Sequence, residues 1–398
     1  MKLYDIFGVA IQTAGAAVAS LFPVFIAIIV PPHSFKMFSE AFFLTNLAAL
    51  LSCPGVDQLL VRRGTPRKTS FAVFALLALT ASAIIAYLDR KHGGIGVAWV
   101  AVGSLSINFG NYLQTWLLFE GRGRATHAYT TMRVIALALA VAAGACFRAA
   151  SDHLFVIWCI AQAAPIPLCV TLLAGPSRRV KSNGGGGAAV GMMQSVIFFF
   201  VFSAAGIVLS VERVVAAHLL SAAALKRYMI ATFSLSVLIY AGVGIERHLT
   251  ASIEPGSRQK ARNWLAFALS IYAPVVGVLL LVLYRGSGLG FDPEIRSSFT
   301  ANIVVLALGG AHVYLYFSVA PEVFRMVDHQ TMVLLAKVGA ATAVCAGLIF
   351  MLRDRAVGLA GLPGVMLVLY TSLLAGSFFR YIAVRRGVLQ EVSGWISR

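Results

Sequence analysis

Phe71 to Leu88 reads FAVFALLALTASAIIAYL. It carries no charge, and its apolar residues fall on every side of a helix instead of on alternate positions. A barrel strand would alternate apolar and polar residues, and a surface helix would keep a polar face. A helix of about 20 such residues crosses roughly 30 Å of hydrocarbon with every backbone group bonded internally. Phe71–Leu88 therefore reads as a membrane span.

Stretches of this kind recur along the whole chain. About twelve are expected, near 7–30, 37–60, 69–88, 95–118, 128–148, 154–174, 188–211, 228–245, 263–284, 298–320, 330–352 and 357–379. The composition agrees, with 398 residues that are 59% hydrophobic and only 12% charged and a mean hydropathy of +0.85. Soluble domains carry about 25% charge. The apolar stretch at the N-terminus continues through LFPVFIAIIV to Val30, longer than the ~7–15 residue core of a cleaved signal, so it reads as the first span. The connecting loops are short, which leaves no room for a folded domain outside the membrane. The expected fold class is an all-α polytopic membrane protein of about twelve helices in two six-helix bundles around a central cavity.

The net charge of +17 is distributed in clusters between spans. Arg62, Arg63, Arg67 and Lys68 form one; Arg122 and Arg124 another; Arg178, Arg179 and Lys181 a third; Arg247, Arg258, Lys260 and Arg262 a fourth; and Arg385, Arg386 and Arg398 the last. The positive-inside rule places these clusters and both termini in the cytoplasm and accounts for the charge without nucleic acid. GPSRRVKSNGGGGAAVG, beginning at Gly175, divides the chain nearly in half. A Gly-rich basic linker over 175–187 would join an N-terminal bundle, 1–174, to a C-terminal bundle, 188–398. Two repeated halves rocking about a midplane site are a common route to alternating access, although residue identity alone does not reveal the repeat.

The five cysteines, Cys53, Cys146, Cys159, Cys169 and Cys345, lie in apolar runs without CxxC spacing and read as small core residues. No P-loop, zinc spacing or nucleophile elbow occurs, so neither a cofactor nor a metal is expected and ATP hydrolysis is disfavoured. Polar residues inside spans are the functional candidates, because a charge at the bilayer centre costs about 2.5–3.5 kcal/mol on the insertion scale. Lys337 is the deepest; it lines a cavity, snorkels, or pairs with Glu322 or Asp328. Arg133 lies nearer a span end, where snorkelling competes with a cavity role. Asn108, Asn111 and Thr115 recur at helical spacing, either lining a cleft or bonding a neighbouring helix. Asn46 is mid-span in the second helix, and His312 reads as a satisfied core histidine.

The second informative stretch is VERVVAAHLLSAAALKRYMIA, Val211 to Ala231. Glu212 and Arg213 end one span, and Lys226, Arg227 and Tyr228 open the next on the outer side. Three cations at one mouth suit an anionic head group such as a pyrophosphate; the plain alternative is an interfacial salt bridge from Glu212 to Arg213 or Lys226.

This segment resembles Wzx-type polysaccharide flippases of the multidrug/oligosaccharidyl-lipid/polysaccharide (MOP) exporter superfamily, with Glu212 and Arg213 in the acid-Arg positions and Tyr228 in the aromatic one. FSEAFFLTNLAALLSCPGVDQLLVRRG, with Gly55, Asp57 and Arg62, resembles that family's second helix. LLFEGRGRATHAYTTMRVIALALA, with Gly121 and Arg124, resembles its fourth-to-fifth connection. Lys36 stands where many members have Gly. The resemblance implies two six-helix bundles forming a V around a cationic cavity. It also implies transfer of an undecaprenyl-pyrophosphate-linked oligosaccharide across the bacterial inner membrane, for exopolysaccharide, O-antigen or capsule synthesis. Membrane lipids and polysaccharide polymerase or export components are the implied partners. Coupling to H+ or Na+ would need an acid in the cavity, for which Glu40, Asp57 and Glu212 are the candidates. Competing readings are a drug or small-cation antiporter of the same architecture, which the predominance of basic intramembrane residues disfavours, and a polymerase, ligase or glycosyltransferase on the same glycolipid. Such an enzyme needs converging acids in a sizeable outer loop, and Asp292 and Glu294 are the only acidic outer pair. A non-transporting scaffold is the third alternative.

Overall fold

A computed structural model describes chiefly residues 21–52, 97–119, 122–147, 151–174, most of 210–229, 299–319 and 374–385, with scattered positions elsewhere. The described residues are helical and form no strand, as the hydropathy pattern requires. The chain is all-α and polytopic. Its contacts separate two compact units, Met1–Ile230 and Ala231–Arg398.

In the first unit, α1 covers residues 21–29 and the chain turns through Val30 and Pro31 into α2, Pro32–Ser52. Pro32 opens α2 because proline has no N–H to lose in the first turn and its φ is already helical. Next come α3, Val97–Phe119; α4, Gly123–Phe147; α5, Ser151–Ala163; and α6, Ile166–Ala174. The expected single span over 154–174 is thus interrupted. Pro165 and Pro167 cannot donate backbone bonds, and the chain breaks at Ala164–Pro165 before Cys169 N–H resumes the ladder on Pro165 O at 3.1 Å. Helix α4 begins five residues before the expected 128. Its polar first turns are bonded within the helix, Thr126 Oγ1 to Arg122 O and Thr130 Oγ1 to Thr126 O.

The burial pattern is that of a protein in lipid. Ile135, Leu139, Ile160 and Val170 are more than half exposed, while Ser104, Asn108, Gln114, Thr126 and Gln162 are buried. Among the described residues, two stretches, Arg124–Cys146 and His153–Leu172, are long and apolar enough to cross a membrane. Aromatic rings hold α1, α2 and α5 together: Phe22 lies 6.0 Å from Phe38, Phe38 5.4 Å from Phe42, and Phe42 4.8 Å from Trp158, between ring centroids. Tyr112, Leu113, Leu117, Tyr129 and Cys169 form a second core between α3, α4 and α6. Small residues let the helices approach; Gly103 of α3 faces Thr45 of α2 and Cys159 and Trp158 of α5, while Gly110 lies directly under the Tyr129 hydroxyl.

Cys159 and Cys169 are buried thiols as expected, but Cys146 is exposed at the end of α4, where the helix meets lipid or solvent. The second unit is described by α7, Phe299–Ser318, and α8, residues 374–385. Helix α8 continues past the expected end at 379 because Arg380 is itself buried.

The first compact unit runs beyond the expected division at 175–187 and ends at Ile230. Residues 213–226 belong to it because they bond to the turn between α1 and α2, as described next.

Candidate functional site

The cationic residues at 213–226 meet α2 at two levels, its middle and the turn before it. The guanidinium of Arg213 sits 5.9 Å from the centroid of Phe43, within reach of a cation–π contact, and Phe43 is buried. Lys226 Nζ donates to Val30 O at 3.3 Å, the last carbonyl of the α1 turn. Lys36 Nζ donates to Leu220 O at 2.9 Å. Glu40 approaches Lys36 at 3.9 Å, one helical turn away, with both side chains about 30% exposed (28% and 31%). A pair this exposed contributes only a few tenths of a kcal/mol. Burial pushes the Lys226 ammonium below the ordinary lysine value, and the contact described for it is with a carbonyl rather than a carboxylate.

The expected cations are therefore brought to one place in part. Lys226 and Lys36, the latter left outside the site by sequence reasoning, meet at the turn before α2, whereas Arg213 lies about two helical turns beyond Lys36, beside Phe43. Glu212, Arg227, Asp57 and Lys337 lie outside the described residues, as do Glu322 and Asp328. Among the residues whose side chains are described, Glu40 is the only carboxylate.

Inside the first unit the intramembrane candidates have defined partners. Arg133 Nε donates to Gln162 Oε1 at 3.0 Å, from α4 across to α5. Asn108 is buried and Asn111 half-buried on α3. Thr115 turns back onto its own helix at Asn111 O, 2.9 Å. Asn46 does the same at Phe42 O, 2.7 Å. Gln114 makes a bond between helices in this region, its Nε2 donating to Thr130 Oγ1 at 2.9 Å. At the α3–α4 turn it is Arg122, not Arg124, that acts: its Nη1 donates to Leu172 O in the last turn of α6, where a cation complements the carbonyl end of a helix. Arg124 is exposed.

In the second unit His312 is the core histidine expected, its Nδ1 hydrogen-bonded to Ser377 Oγ at 2.6 Å. One turn along, the buried Arg380 guanidinium stacks 3.8 Å from the centroid of Tyr316. Arg380 lies just past the last expected span, 357–379. A desolvated cation–π pair contributes about 2 kcal/mol. Replacing Tyr316 with Leu should therefore lower thermal stability in detergent by about that amount, and Tyr316→Phe, which keeps the ring face, by clearly less. Equal losses from both would remove the stacking as a source of stability.

Comparison of the whole fold with known proteins gives one consistent result. The chain is similar to a crystal structure of MATE in complex with MaD5 (TM-score 0.61, 13% identity, 97% of this chain and 96% of that one). It is also similar to a crystal structure of MATE in the straight conformation (TM-score 0.60, 13% identity, 97% and 96% covered). A third similar structure is the outward-facing conformation of a multidrug resistance MATE family transporter of the MOP superfamily (TM-score 0.58, 12% identity, 97% and 96% covered). The fold is that of these transporters over nearly the full length. No family model matches the sequence. No curated protein matches it either.

Proposed function

We propose that this chain is a transporter that moves an undecaprenyl-pyrophosphate-linked oligosaccharide from the cytoplasmic to the outer leaflet of the bacterial inner membrane, by alternating access. The observation that carries this reading is the set of three cations along α2 and the turn before it, Lys226 on Val30 O, Lys36 on Leu220 O and Arg213 beside Phe43, in a fold shared with MATE transporters of the MOP superfamily. The positive-inside assignment puts these residues at the outer mouth and both termini in the cytoplasm. A lipid tail can stay in the bilayer while its head group crosses a hydrated cleft. The chief cost is then burial of a pyrophosphate, which lysine and arginine donors offset. Polysaccharide polymerase or export components would take the cargo on the outer face. Glu40, Asp57 and Glu212 are the carboxylates that proton or sodium coupling would use, and Glu40 is held next to Lys36.

The competing reading is a small-molecule antiporter of the same architecture, favoured by the multidrug transporters among the structural relatives. The two differ in the sign of the cargo. Arg213→Ala should lower glycan export roughly tenfold, corresponding to about 1.4 kcal/mol of lost cargo stabilisation, with membrane levels of the protein unchanged. Arg213→Lys keeps the charge but loses the planar fork, so partial export is expected. Lys337→Ala should also reduce export. Wild-type export from both alanine variants would sink the cationic pathway, and loss of drug efflux instead would favour the antiporter.

A further inference from the structure

Two turns in the first unit are built alike, at one constant offset along the chain. Val30 N–H donates to Ile26 O at 3.0 Å, and Leu220 N–H donates to Ala216 O at 3.0 Å. Phe35 N–H donates to Pro31 O at 3.0 Å, and Leu225 N–H to Ser221 O at 2.8 Å. Phe35 and Leu225 are fully buried, as are Ala27 and Ala217, while His33 and Ala223 are exposed. Each turn is followed by a lysine at the matching position, Lys36 and Lys226. The two ammonium groups cross over: Lys36 donates to Leu220 O and Lys226 to Val30 O. Each lysine therefore caps the final carbonyl of the helix in the other turn, an acceptor left open by the end of the backbone ladder and favoured by the negative end of the helix dipole.

We propose that Lys36 and Lys226 form a reciprocal clasp, a gate element that fastens the turn after α1 to the turn after residues 213–218 and must let go for this end of the protein to open. This goes beyond the nature of the cargo and holds for either sign of it. The two bonds are of one kind and lie at the same offset along the chain, so release of one leaves the other to bear the same separation. Neither needs a carboxylate, which makes the clasp reversible: a carbonyl replaces the water an ammonium loses and returns it when the turns part. Burial lowers the Lys226 proton affinity, the mark of a cation only partly compensated in the closed arrangement. Lys36 has a second partner on its own helix, since Glu40, 3.9 Å away, can hold the ammonium after Leu220 is released.

Hydrogen exchange of the full chain in lipid nanodiscs tests the clasp, read by mass spectrometry over peptides covering 26–36 and 216–226. Lys36→Gln should speed exchange in 216–226 by about fivefold or more, and Lys226→Gln should do the same in 26–36, each acting on the turn far away in sequence. Lys36→Arg and Lys226→Arg retain a donor and should keep protection close to wild type. Lys36→Met and Lys226→Met, which remove the ammonium but keep the stem, repeat the comparison should a glutamine variant also lose protection in α3–α5. Faster exchange confined to the substituted turn, or wild-type exchange in both turns, would overturn the proposal.

Discussion

Gly103→Leu is expected to leave little folded protein in the membrane. A Cβ at Gly103 would stand 2.8 Å from Thr45 Cγ2 and 3.1 Å from both Cys159 Sγ and Trp158 Cζ3. These atoms belong to two other helices, α2 and α5, so no single rotamer change relieves all three contacts. Interiors are packed too densely to absorb even small additions without strain, which typically costs 1–3 kcal/mol for one or two extra methylenes. Leucine adds four carbons at a point where α2, α3 and α5 meet. Lipid offers no hydrophobic penalty for parting the helices, since its tails are as apolar as the side chains between them. The expected result is loss of the monodisperse species in detergent chromatography, with Gly103→Ala intermediate. A monodisperse, wild-type-stable Gly103→Leu protein would contradict the three-helix contact.

Trp158→Ala is the second large effect, expected to cost about 3–5 kcal/mol, the range for removing a buried aromatic side chain. The indole is fully buried and joins two clusters, 4.8 Å from Phe42 and 5.6 Å from Phe155 between centroids. Its loss leaves a void between α2 and α5 that lipid cannot enter. Trp158→Phe is the informative control. It keeps a ring against both neighbours and removes an indole N–H that has no hydrogen-bond partner among the described residues, so its cost should be far smaller. Chemical unfolding in mixed micelles would separate the two variants; a small loss for Ala would mean that α5 is held elsewhere.

Much of the fold was legible because membrane spans depend on composition more than on detailed packing. The spans expected near 37–60, 95–118 and 298–320 coincide broadly with α2, α3 and α7. The misplacements have local causes. Thr126 falls before the expected start at 128 because its surroundings are polar, yet it bonds back to Arg122 O, and Thr130, inside the expected span, bonds back to Thr126 O and receives Gln114 from α3. The broken helix at Pro165 was written in the sequence as Ala-Pro-Ile-Pro, but the apolar run around it masked the signal.

The candidate site was legible in its charges and not in its contacts. Arg213 and Lys226 stand out beside an apolar span, whereas the groups they meet, a phenyl ring and a backbone carbonyl, have no sequence signature. Lys36 was visible only as an unusual residue in a turn. The likeness of its turn to that of Lys226 is hidden for a simple reason: comparing 26–40 with 216–230 position by position, only Ala27/Ala217 and Lys36/Lys226 are identical. The matched geometry survives because hydrogen bonds through the backbone tolerate almost any apolar side chain. Arg380 was missed because its partner Tyr316 is an unremarkable residue on another helix, and the partner of Arg133, Gln162, carries no sequence signature either.

The most direct measurement of the proposed transport is the leaflet distribution of lipid-linked oligosaccharide in cells deleted for this gene, read by accessibility of the glycan to a membrane-impermeant probe before and after wild-type complementation. The proposed function predicts complete repeat units accumulating on the cytoplasmic side and returning to the outer leaflet when the gene is restored. Complete units reaching the outer leaflet normally in the deleted cells would contradict it.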